Sequence, residues 1–118
     1  MTMDGEVHDL AMAFVDLAGE SIRGLERRTA PRTIVRRFIS HFGVTPRHCA
    51  YVWIYCRDKI LEVDAHGRKV HLLWTLNLLK SNDTEHELQG RWGETEKTIR
   101  KWTANFMQVL GDLGVASG

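Results

Sequence analysis

The sequence holds little that would staple, break or anchor a chain. Its 118 residues contain only two cysteines and two prolines. Cys49 and Cys56 sit seven positions apart, about 10 Å along a single helix. A disulfide needs its Cα atoms within about 7 Å. Free thiols are therefore expected, which fits a reducing compartment, nucleus or cytoplasm. With only Pro31 and Pro46 present, long uninterrupted helices are open to the chain. No run of about 18 apolar residues exists, so no membrane-spanning helix is expected. Asp4, Glu6 and Asp9 stand where a secretory signal needs positive charge, so secretion is not expected either. Strand-like alternation is nearly absent. Its best stretch, residues 50–55, suits a helix better.

What is there describes a globular protein. Hydrophobic residues make up 43% and charged residues 26%, a balance that reads as globular rather than disordered. The length suits one domain with a core that needs no disulfide or metal. The expected fold class is all-α, a single domain of five to six helices with a helix-turn-helix at its C-terminal end. An N-terminal helix, acidic then basic, is expected over residues 1–30, the helical domain proper over 31–114, and a short tail over 115–118.

The net charge of +1 hides an asymmetry. Residues 4–20 hold five acids and no lysine or arginine. Residues 21–48 hold seven arginines, Arg23, Arg27, Arg28, Arg32, Arg36, Arg37 and Arg47, against one acid, Glu26. A concentrated basic block suits a polyanionic partner more than the total charge does. It equally suits a solvated helix face.

Helical spacing and caps divide the chain further. Val7, Leu10, Phe14, Leu17, Ser21 and Leu25 predict a first helix over residues 4–28, which Gly19 or Gly24 can bend or split. Pro31 opens a second, with an apolar stripe of Ile34, Val35, Phe38, Ile39 and Phe42, ending at Gly43. Thr45 caps a third, with Pro46 in its first position and Cys49, Val52, Trp53, Cys56 and Ile60 on its buried face. Residues 71–79 are apolar on most sides and mark a central helix. Thr84 and Glu87 form a capping-box pattern for a short fifth helix, and Gly93 turns the chain. Thr95 then caps a sixth, with Ile99, Trp102, Phe106, Val109, Leu110 and Leu113 facing inward.

The last two helices carry the clearest functional pattern. A short capped helix, a tight turn and a longer capped helix are the parts of a helix-turn-helix. In such a unit the start of the second helix enters the major groove of double-stranded DNA. Burying Ile99 and Trp102 leaves Glu96, Lys97, Arg100, Lys101, Ala104 and Asn105 on the open face. The lysines and the arginine can neutralise phosphates or read guanine, and Asn105 can read adenine. The amides behind the Thr95 cap can hold a phosphate. Arg32, Arg36, Arg37 and Arg47 surround a second helix–turn–helix at Gly43 and can act as groove reader or backbone clamp.

A family resemblance enters at the same residues. Arg36-Arg37-Phe38-Ile39-Ser40-His41-Phe42-Gly43-Val44-Thr45-Pro46 resembles the opening of transposase-like proteins. Cys49 and Trp53, then His71-Leu72-Leu73-Trp74, Leu79-Lys80, Thr84-Glu85 and Glu96-Lys97-Thr98-Ile99-Arg100-Lys101-Trp102 follow in the same order. The family is that of Harbinger-like and related DDE transposases, in which this helical region precedes an RNase H-like catalytic domain. The resemblance implies a DNA-binding or DNA-positioning domain and carries over no catalytic residue. The mixed sheet that holds the family's three carboxylates has no counterpart in these residues.

Other chemistry finds less footing. The spacings of His41, His48, Cys49 and Cys56 match no zinc pattern, so no metal and no cofactor are expected. His48 adjoins Cys49, but helical neighbours point about 100° apart. No phosphate loop, carboxylate pair or nucleophile elbow is present, so enzymatic activity is not expected. Trp53, Trp74, Trp92 and Trp102 are expected in the core rather than as a stacking platform. The competing expectation is a structural or protein-interaction subunit that keeps a transposase-like fold. Its acidic first helix would dock a protein partner.

Overall fold

In the computed structural model, which describes residues 3–26, 28–81 and 84–112, the described chain is all-helical. Six helices follow in order: α1 (Met3–Gly19), α2 (Pro31–Phe42), α3 (Pro46–Val63), α4 (Lys69–Ser81), α5 (Glu85–Trp92) and α6 (Glu96–Asp112). Arg27, Asn82, Asp83, Leu113 and the expected tail lie outside the described residues.

The predicted first helix is shorter than its periodicity. It ends at Gly19, and the Ile22 amide bonds to the Ala18 carbonyl at 2.8 Å as the chain turns out of the helix. A Cβ on Gly19 would lie 3.0 Å from the Leu25 carbonyl oxygen. The returning loop therefore packs on the helix end through glycine's missing side chain. Gly24 continues the turn at φ +94°, a conformation that glycine adopts without steric cost. The basic half of the expected helix is thus a loop. Its apolar residues Ile22 and Leu25 stay buried, because the loop folds under α1.

The remaining boundaries follow local chemistry. Gly43 closes α2 at φ 78°, its amide bonding to Ile39 O at 2.8 Å. The Thr45 hydroxyl accepts from the His48 amide at 3.0 Å to cap α3, with Pro46 in the first turn. The Thr84 side chain accepts from the Glu87 amide and the Glu87 carboxylate accepts from the Thr84 amide, completing the capping box of α5. Gly93 ends α5 in the left-handed region.

α4 is the central helix. Every residue from His71 to Asn77 is buried, and the helix packs against α1, α2, α5 and α6. The aromatic core runs from Phe14 on α1 through Trp53 on α3 to Phe106 on α6, with ring centroids 6.4 Å apart at each step. Leu72, Leu73, Leu76 and Trp102 join it. Cys49 and Cys56 are free and buried. α1 packs on α3, and Phe14, Val15 and Ala18 of α1 with Ile22 and Leu25 of the loop belong to the same core. On α2 the expected apolar stripe is wider than the buried face. Ile34, Phe38 and Phe42 are buried, but Val35 and Ile39 are each 39% exposed. One face of this helix meets α4, and the edge that carries those two residues stays partly exposed among the described residues.

Candidate nucleic-acid interface

α6 divides cleanly into a core face and an open face. Ile99, Trp102, Phe106, Val109 and Leu110 are buried, and the Thr103 hydroxyl donates back to Ile99 O at 2.9 Å. Lys97, Arg100 and Ala104 are exposed on the other side, at the spacing of successive helical turns. Lys97 and Arg100 make no ion pair among the described residues. The Thr95 hydroxyl accepts from the Thr98 amide at 3.2 Å and donates to Thr98 Oγ1 at 2.9 Å. Thr95 thus caps the helix start, as its position before Glu96 predicts.

Lys101 also has a partner inside the chain. Its ammonium lies 2.9 Å from Asp64 Oδ2 and 4.9 Å from the centre of the Trp102 ring. The His66 amide and the Lys101 ammonium, both bonded to the Asp64 carboxylate, hold it below the usual carboxylate range. Lys101 thus ties the α3–α4 connection to α6. Asn105 is half-buried, set back from the open face. Glu96, whose charge would oppose phosphate, is half-exposed and lies 3.8 Å from His86 Nδ1 on α5.

The second basic group sits on α2 and the start of α3. Arg32 and Arg36 are exposed one turn apart and make no ion pair among the described residues. Arg37 does not join them. Its Nη1 donates to Gly24 O at 2.9 Å, and the guanidinium fills the space beside Gly24 where a Cβ would stand. Glu26 Oε2 accepts from the Gly24 amide at 3.0 Å. Hydrogen bonds to its own amide and to that of Gly24 keep the Glu26 carboxyl below its usual range. Arg47 lies over the Tyr51 ring at 5.8 Å, and the same helix face presents exposed His48 and Tyr55, the latter 69% exposed.

Tyr51 and Tyr55 are a part of this surface that the sequence argument passed over. Their signal was the four-residue step from Arg47 to Tyr51 to Tyr55, outside the buried stripe of Cys49, Val52 and Cys56. The two basic groups do not form one tight cluster. α2 and α6 each pack on α4 and make no substantial contact with each other.

Among the described residues no group of three histidine, cysteine, aspartate or glutamate side chains could hold a metal ion. Burial pushes both thiols up, Cys56 to about 12, so neither supplies a thiolate near neutral pH. No helix of the described chain is long and apolar enough to cross a membrane. No family model, curated protein or solved structure matches the chain significantly. The transposase resemblance therefore stands on its quoted residues alone.

Proposed function

We propose that this chain is a DNA-binding helix-turn-helix domain of transposase-like ancestry, in which α6 reads duplex DNA and α2 holds its backbone. The observation that carries the reading is the open face of α6. Lys97 and Arg100 stand exposed and unpaired among the described residues, on the first two turns of a helix fixed from behind by Ile99, Trp102 and Phe106. A rigid helix with free cations at its leading end has the shape and charge that major-groove entry requires. Arg32 and Arg36 supply further cations for phosphates, and Arg47 lies close by over Tyr51. Lys101, Thr95 and Arg37 act chiefly within the fold, and Asn105 serves at the edge of the contact. Such a protein works where chromosomal DNA is, in nucleus or cytoplasm.

The test is fluorescence anisotropy with a mixed-sequence duplex across a salt series. Binding should weaken steeply as salt rises. Replacing Arg32 and Arg36 with Ala should lower the salt slope by about one per lost phosphate contact. Arg100→Ala should lower affinity and flatten the preference obtained from a random-duplex selection. Absence of salt-dependent binding by the folded protein overturns the reading.

A second reading, an interaction subunit, is favoured by the exposed pair Val35 and Ile39. Val35 also lines a cleft of about 490 Å³, together with Met12, Val15, Ile34 and Pro46. A folded protein that ignores duplex DNA, yet whose recorded protein contacts are lost with Ile39→Glu, would establish this role instead.

A further inference from the structure

A stripe of aromatic rings on α3 takes no part in the duplex contact through α6. Thr45, Arg47, His48, Tyr51 and Tyr55 line an open cleft of about 330 Å³ at the start of that helix. No carboxylate lines it among the described residues. Positions 47, 51 and 55 fall near one helical turn apart, so their side chains follow one line and rise about 6 Å at each step. Cys49, Val52 and Cys56 are buried on the other side. The core therefore fixes α3 and with it the outward direction of the two tyrosines. Tyr51 is half-buried, and Tyr55 is 69% exposed. The Arg47 guanidinium lies 5.8 Å from the centre of the Tyr51 ring, a cation–π distance that steadies both groups.

The chemistry of the stripe narrows its occupant. A phenol presents a flat apolar face and a polar edge. Successive rings of this kind with a cation at one end suit unpaired nucleobases, which stack on the rings while the cation holds a phosphate. Bases inside a duplex offer no face to a side chain until they leave the stack.

Charge sets the direction of a bound strand. Asp58 is exposed three positions beyond Tyr55, and Glu62 follows, 4.0 Å from Lys59. Phosphate is disfavoured at that end and favoured at the Arg47 end. Thr45 and Arg47 also line the cleft beside Val35 of α2. A strand lying on the tyrosines thus continues past Arg47 towards α2, where Arg32 and Arg36 are exposed. A guanidinium carries five donors, so Arg47 can keep its place in the fold and meet a phosphate as well.

We propose that Tyr51 and Tyr55 form a stacking platform for unpaired bases of single-stranded DNA, with Arg47 on the phosphate beside them. The proposal rests on the reading of this chain as a DNA-binding domain and adds an unpaired strand to the duplex held by α6 and α2.

Fluorescence anisotropy with a labelled oligothymidylate strand tests it, beside an abasic strand of equal length that keeps the phosphates and lacks the bases. The parent should bind the thymidylate strand about tenfold more tightly than the abasic one. Tyr55→Ala should weaken thymidylate binding about tenfold and leave the abasic strand unaffected, while Tyr55→Phe keeps the ring and should bind like the parent. Tyr55 is exposed, so both variants should fold. Duplex affinity should be unchanged in Tyr55→Ala and lowered in Arg100→Ala, which separates a failure of the platform from a failure of the α6 reading. Equal affinity of the parent for the two strands overturns the proposal. An equal loss in Tyr55→Phe and Tyr55→Ala makes the hydroxyl the contact and overturns stacking. A chain that ignores the thymidylate strand but self-associates, and becomes monomeric in Tyr55→Ala by sedimentation, uses the rings against a second copy and also overturns it.

Discussion

Arg91 on α5 donates from Nη1 to Asn77 Oδ1 on α4 at 2.5 Å. The same oxygen accepts from Trp92 Nε1 at 3.3 Å, while Asn77 Nδ2 donates to His41 O at 2.9 Å on α2. One fully buried amide therefore ties together three helices that the hydrophobic pattern leaves free to slide. It also orients α5, the helix that leads into the proposed reading helix.

Replacing Asn77 with Leu keeps the volume and strips all three bonds. The His41 carbonyl and the Trp92 N–H lose their amide partner in a region of low solvent access. A buried polar group without a partner costs about 1–3 kcal/mol. The expected loss for Asn77→Leu is about 2–4 kcal/mol, measured as a drop in the denaturant midpoint at unchanged slope. A midpoint equal to that of the parent would show that apolar packing alone positions α5.

Neighbouring arginines on α2 should behave differently. Arg37 holds the Gly24 carbonyl and Arg36 holds nothing among the described residues. Arg37→Ala should cost about 1 kcal/mol of stability and raise amide exchange in residues 20–26. Arg36→Ala should leave thermal unfolding unchanged and lower duplex affinity. The reverse assignment would remove α2 from the proposed DNA contact.

The two cysteines should be inert in the native state. Both are completely buried, and burial raises both thiols far above their ordinary range. A thiol reagent at neutral pH should modify neither residue until the chain unfolds, with the rate following the denaturation curve. Rapid labelling of either cysteine in folded protein would contradict the packing of α3 against α1.

His71 should make the fold acid-sensitive. Burial foremost, with Arg68 adding to it, lowers its pKa from 6.5 to about 4. The unfolded chain thus takes up this proton before the folded chain does. The contribution is fully present above about pH 6.5 and is lost progressively as pH falls towards 4, reaching about 3 kcal/mol there. Stability measured between those limits should fall more steeply for the parent than for His71→Gln. Imidazole ¹⁵N shifts should show a neutral, Nε2-protonated ring at pH 5.5. A His71 titration near its ordinary value would reject the buried, stacked geometry.

The sequence by itself determined the helices and most of their ends. Caps and turns are local devices: Thr45 with Pro46, Thr84 with Glu87, and glycines at 43 and 93 act on residues within one turn. A 3.6-residue repeat of apolar side chains also decides which faces meet the core. The same locality explains where the reading stopped short. The apolar repeat of residues 4–28 continues through Ile22 and Leu25, yet the helix ends at Gly19, because the loop needs close contact between Gly19 and Leu25. Val35 and Ile39 fit the stripe but stay partly exposed, and only the arrangement of helices sets which edge is covered. The candidate interface divides in the same way. That Lys97 and Arg100 face outward follows from helix periodicity. That Lys101 is held by Asp64, Arg37 by Gly24 and Asn77 by Arg91 depends on contacts 13 to 37 residues apart in sequence. Pairings of that range carry no local signature, because they arise from how the elements pack. The tertiary structure alone decided which charges remain free for a partner.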